Sequence, residues 1–311
     1  MDDAIEDEAV VLEDQTAVLP TMTSNRPIDY QNMIPGDQWR LWVPFHFLPG
    51  NDETAQAFVE KMVCTKHSIP ARKMLEHAVQ NKLETFGPSL VGIAAHVYAD
   101  TFSHYGFTGL ARDCNRVKSE SIRVYVESAS ILDYVKTKFE TFKTRVAGTL
   151  AETVPVGHGA VATYPDRPYL HWEYEPENGG VERHNANDYI EACERLHAFF
   201  GEFVKENTVH GDPVEPVSWD SIADKVRNIL KQEGSLDDRI KTWKEAISSN
   251  ELFMSRDEDR VITNSDTAWK SSRITDHFTA GGKVWIDVMP IYLFVQDGNI
   301  EAMSFTDCYP M

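Results

Sequence analysis

The stretch Gly87-Pro88-Ser89-Leu90-Val91-Gly92-Ile93-Ala94-Ala95-His96-Val97-Tyr98-Ala99-Asp100-Thr101-Phe102-Ser103-His104 decides how this chain is read. Gly-Pro-Ser opens a helix, because proline is tolerated in a first turn. From Leu90 to about Tyr105 the residues are apolar nearly all round, as in a helix buried in a core. His96, Asp100 and His104 break that character at i, i+4 and i+8. Each four-residue step returns to nearly the same face, drifting about 40° and rising about 6 Å. His96 and Asp100 can chelate one ion, and Asp100 and His104 another. The two histidines are about 12 Å apart along the axis, which is long for sharing one ion. The spacing therefore suits a carboxylate between two metals with an imidazole on each side. Such a pair activates water and clamps the oxygens of a phosphate ester. The same residues also fit a satisfied polar network in the core, since buried His and Asp need partners of some kind. On spacing alone both readings stand.

Working outward, apolar spacing of three and four predicts helices over 54–63 and 70–82, and a long amphipathic one over 121–147. Three more are predicted over 186–205, 218–231 (capped by Gly234) and 236–248. Five prolines between Pro20 and Pro49 break regular structure there, as do the prolines and glycines of 154–180. Apolar residues Ile5, Ala9 and Leu12 allow a short N-terminal helix, or a frayed terminus. After about Ser271 the pattern changes. Residues 283–295 are rich in Val, Ile, Trp and Tyr and end on Gln296-Asp297-Gly298-Asn299, a hairpin-like turn signal. The fold class is all-α with proline-rich loops, divided into an α-helical metal-binding domain over 1–250 and an unassigned C-terminal segment over 251–311 with strand character.

Composition narrows the function classes. The chain has 311 residues, 42% of them hydrophobic, which suffices for a real core. The net charge of −19 disfavours non-specific grip on duplex nucleic acid or an anionic membrane. Seven acids fall in the first fifteen residues, yet most of the charge remains without them. No stretch approaches the roughly 20 apolar residues of a membrane span. The acidic start differs from a secretory signal, and four scattered cysteines fit reduced thiols in the cytoplasm. Without Cys-x-x-Cys, any metal must be held by His and carboxylate.

Further candidates are His46, in the rigid aromatic run Trp42-Val43-Pro44-Phe45-His46-Phe47-Leu48-Pro49, and His158, in Gly157-His158-Gly159. Asp166 follows in Tyr164-Pro165-Asp166-Arg167-Pro168. Such residues, taken singly, are more often structural than ligands. His67, His77, His171, His184, His210 and His277 have no supporting pattern and read as surface or packing residues. Gly157 to Ala162 fits a loose dinucleotide pattern, but Pro165 and Pro168 stop the helix it requires. Glu194-Arg195-Leu196-His197 is a single Glu-x-x-His, where a ferritin-like di-iron site needs two. There is no Walker A loop, no His-Glu-x-x-His, no Gly-x-Ser-x-Gly and no His-Asp dipeptide.

The run His96-x-x-Ala99-Asp100-x-x-x-His104, set in an apolar helix, resembles the metal-binding helix of the zinc-dependent phospholipase C and P1 nuclease superfamily. Its spacing is most similar to the branch containing glycosylphosphatidylinositol-specific phospholipase D. Three blocks together, Val43 to Pro49, His96 to Gly109, and Gly157-His158-Gly159 with Tyr164-Pro165-Asp166, resemble an uncharacterised bacterial family, domain of unknown function 6765. The superfamily resemblance implies an all-α bundle around up to three zinc ions, and hydrolysis of a phosphodiester, phosphomonoester or phospholipid-like substrate. Carried over by position, His46, His96 and Asp100 would hold one ion, and His104, His158 and Asp166 a second. Asp2 or Asp3 would match an early acidic ligand that serves as base near the attacking water, with Asp3 and Asp100 the catalytic carboxylates. Two departures stand out: no His precedes His46, and position 162 is Ala where the superfamily has the Glu of a His-x3-Glu pair. The first implies a truncated start or a lost third site.

The expectation is a metal-dependent phosphoester hydrolase with a divalent cofactor, zinc foremost. The alternative is a non-catalytic helical scaffold whose histidine helix is a structural metal site or polar core.

Overall fold

A computed structural model describes residues 10–11, 17–18, 38–51, 54–84, 87–150, 155–176, 180–205, 216–249, 251–252, 283–288 and 291–296. The chain is mainly helical. Its helices are α1 (Phe58–Lys61), α2 (Ile69–Gln80), α3 (Gly87–Ser103), α4 (Ala129–Leu150), α5 (Asn185–Val204), α6 (Trp219–Lys231) and α7 (Leu236–Ser248).

Helix α3 sits at the centre. Its Ala94, Ala95 and Ala99 are buried against Ala71 and Ala78 of α2 and Ala192 of α5, so small residues bring three helices close together. Tyr98, Phe102, Leu196, Phe199 and Phe203 fill the space around them. Full burial of side chains of this size is worth about 1.5–3 kcal/mol each. Ile93 departs from the all-round burial expected of α3 and is exposed. The other side of α5 packs Tyr189 and Cys193 against Val226, Ile229 and Leu230 of α6 and Trp243 and Ala246 of α7.

Three strands form an antiparallel sheet, β3 (Arg123–Tyr125), β4 (His171–Tyr174) and β5 (Val181–His184), in the order β3-β4-β5. This corrects the expectation of one long helix from residue 121. Ile122, Val124 and Val126 recur at period two, and Val124 pairs with Trp172 across the ladder. The helix begins only at Ala129, where the Glu233 carboxylate accepts the main-chain N–H groups of Glu127 and Ser128. Strand β4 likewise emerges inside the turn-rich 154–180 region, with Trp172 and Tyr174 inward and His171 and Glu173 outward. Its inner face joins Phe107, Phe139, Tyr164 and Tyr169 in an aromatic core under α4.

Other expectations shift as well. The 54–63 helix shrinks to the single turn α1, and the proline-broken stretch before Pro49 contains a π-helical segment, Gln38–His46. Phe47 N–H bonds the carbonyl of Trp42 five residues back, and Pro44, which has no N–H, sits inside this wider turn. Val10–Val11 pairs with Ala17–Val18 as strands β1 and β2, where a short helix or frayed terminus was expected. Near the C-terminus β6 (Lys283–Val288) pairs antiparallel with β7 (Ile291–Gln296), Val288 opposite Ile291; Asp297 to Asn299 of the turn signal lie outside the described residues. Among the described residues no helix is long and apolar enough to cross a membrane. Cys64 and Cys193 carry free, buried thiols.

Candidate metal centre

Helix α3 delivers His96 and Asp100, and its last hydrogen bond, His104 N–H to the Asp100 carbonyl at 2.8 Å, delivers His104 just past Ser103. The π-helical segment delivers His46 as its final residue. Short pairings hold that segment over α3. Cys64 N–H bonds the Phe107 carbonyl, Gly106 N–H bonds the Cys64 carbonyl, and Cys64 bridges to Pro49. Gly109 permits this approach, because a Cβ there would lie 2.8 Å from the main chain at Trp42 and Val43.

His158 comes from the far side of the chain. Gly157 precedes it with φ +55°, and a Cβ at Gly157 would lie 2.1 Å from Cζ of Phe47. The left-handed backbone and the missing side chain together let this loop close on the residue next to His46. Asp166 lies on a turn clamped by Asn185, whose side-chain amide donates to the carbonyls of Tyr164, Pro165 and Arg167 while its oxygen accepts from Trp172 Nε1. Tyr189 adds a hydrogen bond to the Pro165 carbonyl.

The result is two groups of two imidazoles and one carboxylate. His46, His96 and Asp100 form one, and His104, His158 and Asp166 the other, with one potential ligand atom of each residue within 4.8 Å of the others in its group. In the first, Asp100 Oδ2 is 2.9 Å from His46 Nδ1 and 3.3 Å from His96 Nε2. In the second, Asp166 Oδ1 is 3.1 Å from His104 Nε2, and its Oδ2 is 3.7 Å from His158 Nε2. Ligands about 2.0–2.1 Å from a tetrahedral zinc lie about 3.4 Å from one another, a value that these spacings bracket.

His104 is the hinge between the groups. Its Nδ1 reaches Asp100 Oδ2 only at 3.7 Å and donates instead to the His46 carbonyl at 2.7 Å. Spacing alone allows Asp100 and His104 to share an ion; here His104 turns Nδ1 to the His46 carbonyl and Nε2 to Asp166, in the grouping with His158 that the resemblance implies. His158 Nδ1 likewise donates to the Ala162 carbonyl at 2.6 Å. A carbonyl can only accept, so both rings hold hydrogen on Nδ1 and, when neutral, present an Nε2 lone pair toward Asp166. That orientation of the outer nitrogen is how proteins fix metal-binding histidines. Phe47 stacks on His104 at 4.7 Å and walls the groups from the aromatic core.

Electrostatics favour a cation. Burial opposes charge on Asp100, but His96, His104 and His46 outweigh it and hold the carboxyl well below its usual range. Asp166 is lowered in the same way, by His158 and His104 against burial. Burial lowers His46, and it lowers His158 to about 4, against the pull of Asp166. Burial acts the same way on His104, yet Asp100 and Asp166 raise it to about 9. Near neutrality both carboxyls are thus ionised, while His46 and His158 are held neutral and His104 is held protonated.

Every predicted ligand that is described falls in one of these groups; Asp2 and Asp3 lie outside the described residues. Sequence reasoning missed the residues that position them. Besides Asn185 and Tyr189, the buried Asn115 ties Thr108 and Leu110 to Pro155, and the buried Arg183 donates to the Phe102 and Ser103 carbonyls at the end of α3. Asn185, Tyr189 and Arg183 act across long sequence separations, and Asn115 bonds Thr108 and Leu110 nearby but reaches Pro155 at a distance of 40 positions, so no local pattern marks them.

No curated protein and no solved structure matches the chain. Residues 1–297 match the family described as Family of unknown function (DUF6765), and the chain belongs to that family.

Proposed function

We propose that the chain is a metal-dependent phosphoester hydrolase whose two His2Asp groups each hold a divalent ion, zinc foremost. The observation that supports this most is the paired orientation of His104 and His158, whose outer nitrogens are fixed by carbonyls so that their inner nitrogens face one carboxylate. Two such ions, when bound, supply activated water and neutralise charge on the phosphoryl oxygens. The protein's own residues set the terms. His158 is neutral at pH 7, with an Nε2 lone pair toward Asp166. His46 is neutral as well but donates its Nδ1 hydrogen to Asp100, and must give that hydrogen up before this nitrogen can act as a ligand. His104 holds a proton in this state and must release it from Nε2 to act as a ligand. The Asp166 side chain, 35% exposed against 15% for Asp100, marks the side open to substrate. The likeness to the zinc-dependent phospholipase C and P1 nuclease superfamily rests on the His96-x3-Asp100-x3-His104 spacing, and it suggests a phosphodiester or phospholipid-like substrate.

A second reading has its own support. Direct contacts of His46 with Asp100 and of His104 with Asp166 satisfy buried polar groups without any ion, as a structural polar core in a helical scaffold would. Elemental analysis of purified protein and its Asp100→Ala variant, with hydrolysis of a chromogenic phosphodiester, separates the readings. About two transition-metal ions per chain, with metal and turnover both reduced in the variant, support the hydrolase. Less than one ion per chain, unchanged in the variant, ends it. Bound metal without turnover on phosphomonoester, phosphodiester and phospholipid substrates moves the assignment to a scaffold with a structural metal.

A further inference from the structure

The outward face of the small sheet carries a second kind of donor cluster, which shares no residue with the buried centre. His171 on β4 and His184 on β5 are direct cross-strand partners, and their rings stack with centroids 3.9 Å apart at 20°. Glu182 stands two residues before His184, so the period-two alternation of β5 puts it on the same face. Its Oε1 lies 2.8 Å from His171 Nε2 and 3.4 Å from His184 Nε2. Two parallel imidazoles from adjacent strands thus aim their outer nitrogens at one oxygen, and all three donor atoms lie within 4.8 Å of one another.

We infer that this face is a surface site for a divalent transition metal, held by His171 Nε2, His184 Nε2 and Glu182, with its remaining positions open to solvent. The donor set argues for the ion. Two imidazoles and one carboxylate suit Zn2+, Ni2+ and Cu2+, whereas Mg2+ and Ca2+ require mostly oxygen ligands. The backbone favours the arrangement as well. The cross-strand ladder fixes the spacing of the two histidines, and Tyr125 packs on His171 at 4.6 Å, with its hydroxyl donating to Glu173 at 2.6 Å. The donors are therefore already gathered, and little side-chain freedom is lost on binding.

The site also has a mechanical consequence. Arg183 lies between Glu182 and His184, points to the opposite face, and donates to the Phe102 and Ser103 carbonyls beside His104. An ion tying β4 to β5 on the outer face stiffens the strand that holds the end of α3.

The test is zinc binding by equilibrium dialysis, and Tm with and without zinc, for the native chain, His171→Gln/His184→Gln and Asp100→Asn. The double variant changes side chains on the outer sheet face, and circular dichroism verifies its fold. The expectation is that the double variant binds one zinc ion fewer than the native chain, or binds that ion at least tenfold more weakly. It should keep the ions that Asp100→Asn reduces, and zinc should raise its Tm by less. Mg2+ should not compete. Equal stoichiometry and affinity in the native chain and the double variant overturn the site. So does competition by Mg2+. Because the buried centre is scored separately through Asp100→Asn, failure there leaves this result readable.

Discussion

His104 donates its Nδ1 hydrogen to the main-chain oxygen of His46, 2.7 Å away. One histidine of the second group therefore supports the backbone that carries a histidine of the first. The two groups are mechanically one unit, although their ligand atoms are separate.

Removing His104 should consequently cost more metal than removing its partner carboxylate. If each group holds one ion, Asp166→Ala lowers bound zinc by about one per chain. His104→Ala lowers it by more than one, because the His46 carbonyl loses its donor and that segment loosens. Zinc content after gel filtration, normalised to protein, reads this directly. Equal losses in the two variants would show that the groups are independent.

Gly157 should tolerate no side chain. Its φ of +55° is costly for an L residue, and a Cβ would lie 2.1 Å from Phe47 Cζ. Gly157→Ala is expected to cost about 2–4 kcal/mol, in the range of overpacking combined with backbone strain. Gly159→Ala, where a Cβ meets nothing within 4 Å, should stay within about 0.5 kcal/mol. Urea unfolding of the two variants side by side measures the difference, and similar midpoints would refute the close packing of the His158 loop on Phe47.

Asn185 should prove as important to Asp166 as any ligand. Asn185→Ala leaves the carbonyls of Tyr164, Pro165 and Arg167 without that donor in a buried setting. The expected cost is about 3 kcal/mol or more. Zinc affinity at the His104 group should fall with stability, and the loss of stability should exceed that of Asp166→Asn, which removes the charge facing His104 but keeps the turn. A variant that keeps native zinc affinity would remove Asn185 from the positioning role.

The residues that gather into the two groups were legible from sequence because most lie in a short, unusual context. His96, Asp100 and His104 interrupt an apolar helix, His46 sits among prolines and aromatics, and His158 between glycines. Helix α7 likewise carries its own boundary signal, a capping box of Ser235 and Asp238, and spans the predicted 236–248. The sheet was not legible. Val124 meets Trp172 across 48 positions of sequence, and within residues 121–126 a period of two is too short to stand against the helical pattern that follows. With β4 and β5 unseen, His171 and His184 had no reason to be paired. Arg183 and Asn185 were hidden likewise, since a buried polar residue declares its role only through the distant carbonyls it meets.

The pH dependence of stability should reverse sign on metal loading. In the metal-free protein His104 is raised to about 9 from an ordinary value of 6.5. Its contribution is fully present below pH 6.5 and is lost as pH rises through about 9, because in that window the folded state binds the extra proton. The lowered carboxyls of Asp100 and Asp166 contribute above pH 4 and are constant here. His46 and His158, lowered by burial, cost stability only below 6.5, where the unfolded chain takes up protons they refuse. His104 therefore sets the slope over the range from 6.5 to 9, with a loss approaching about 3 kcal/mol. Zinc-loaded protein should behave oppositely, since binding expels the His104 proton and strengthens as pH rises. Thermal melts at pH 6.5, 7.5, 8.5 and 9, in chelator and in zinc, test both slopes. The metal-free Tm should fall across the series and the zinc-loaded Tm should rise or hold. His104→Gln should flatten the metal-free slope, and a slope that survives this substitution would assign the titration to another group.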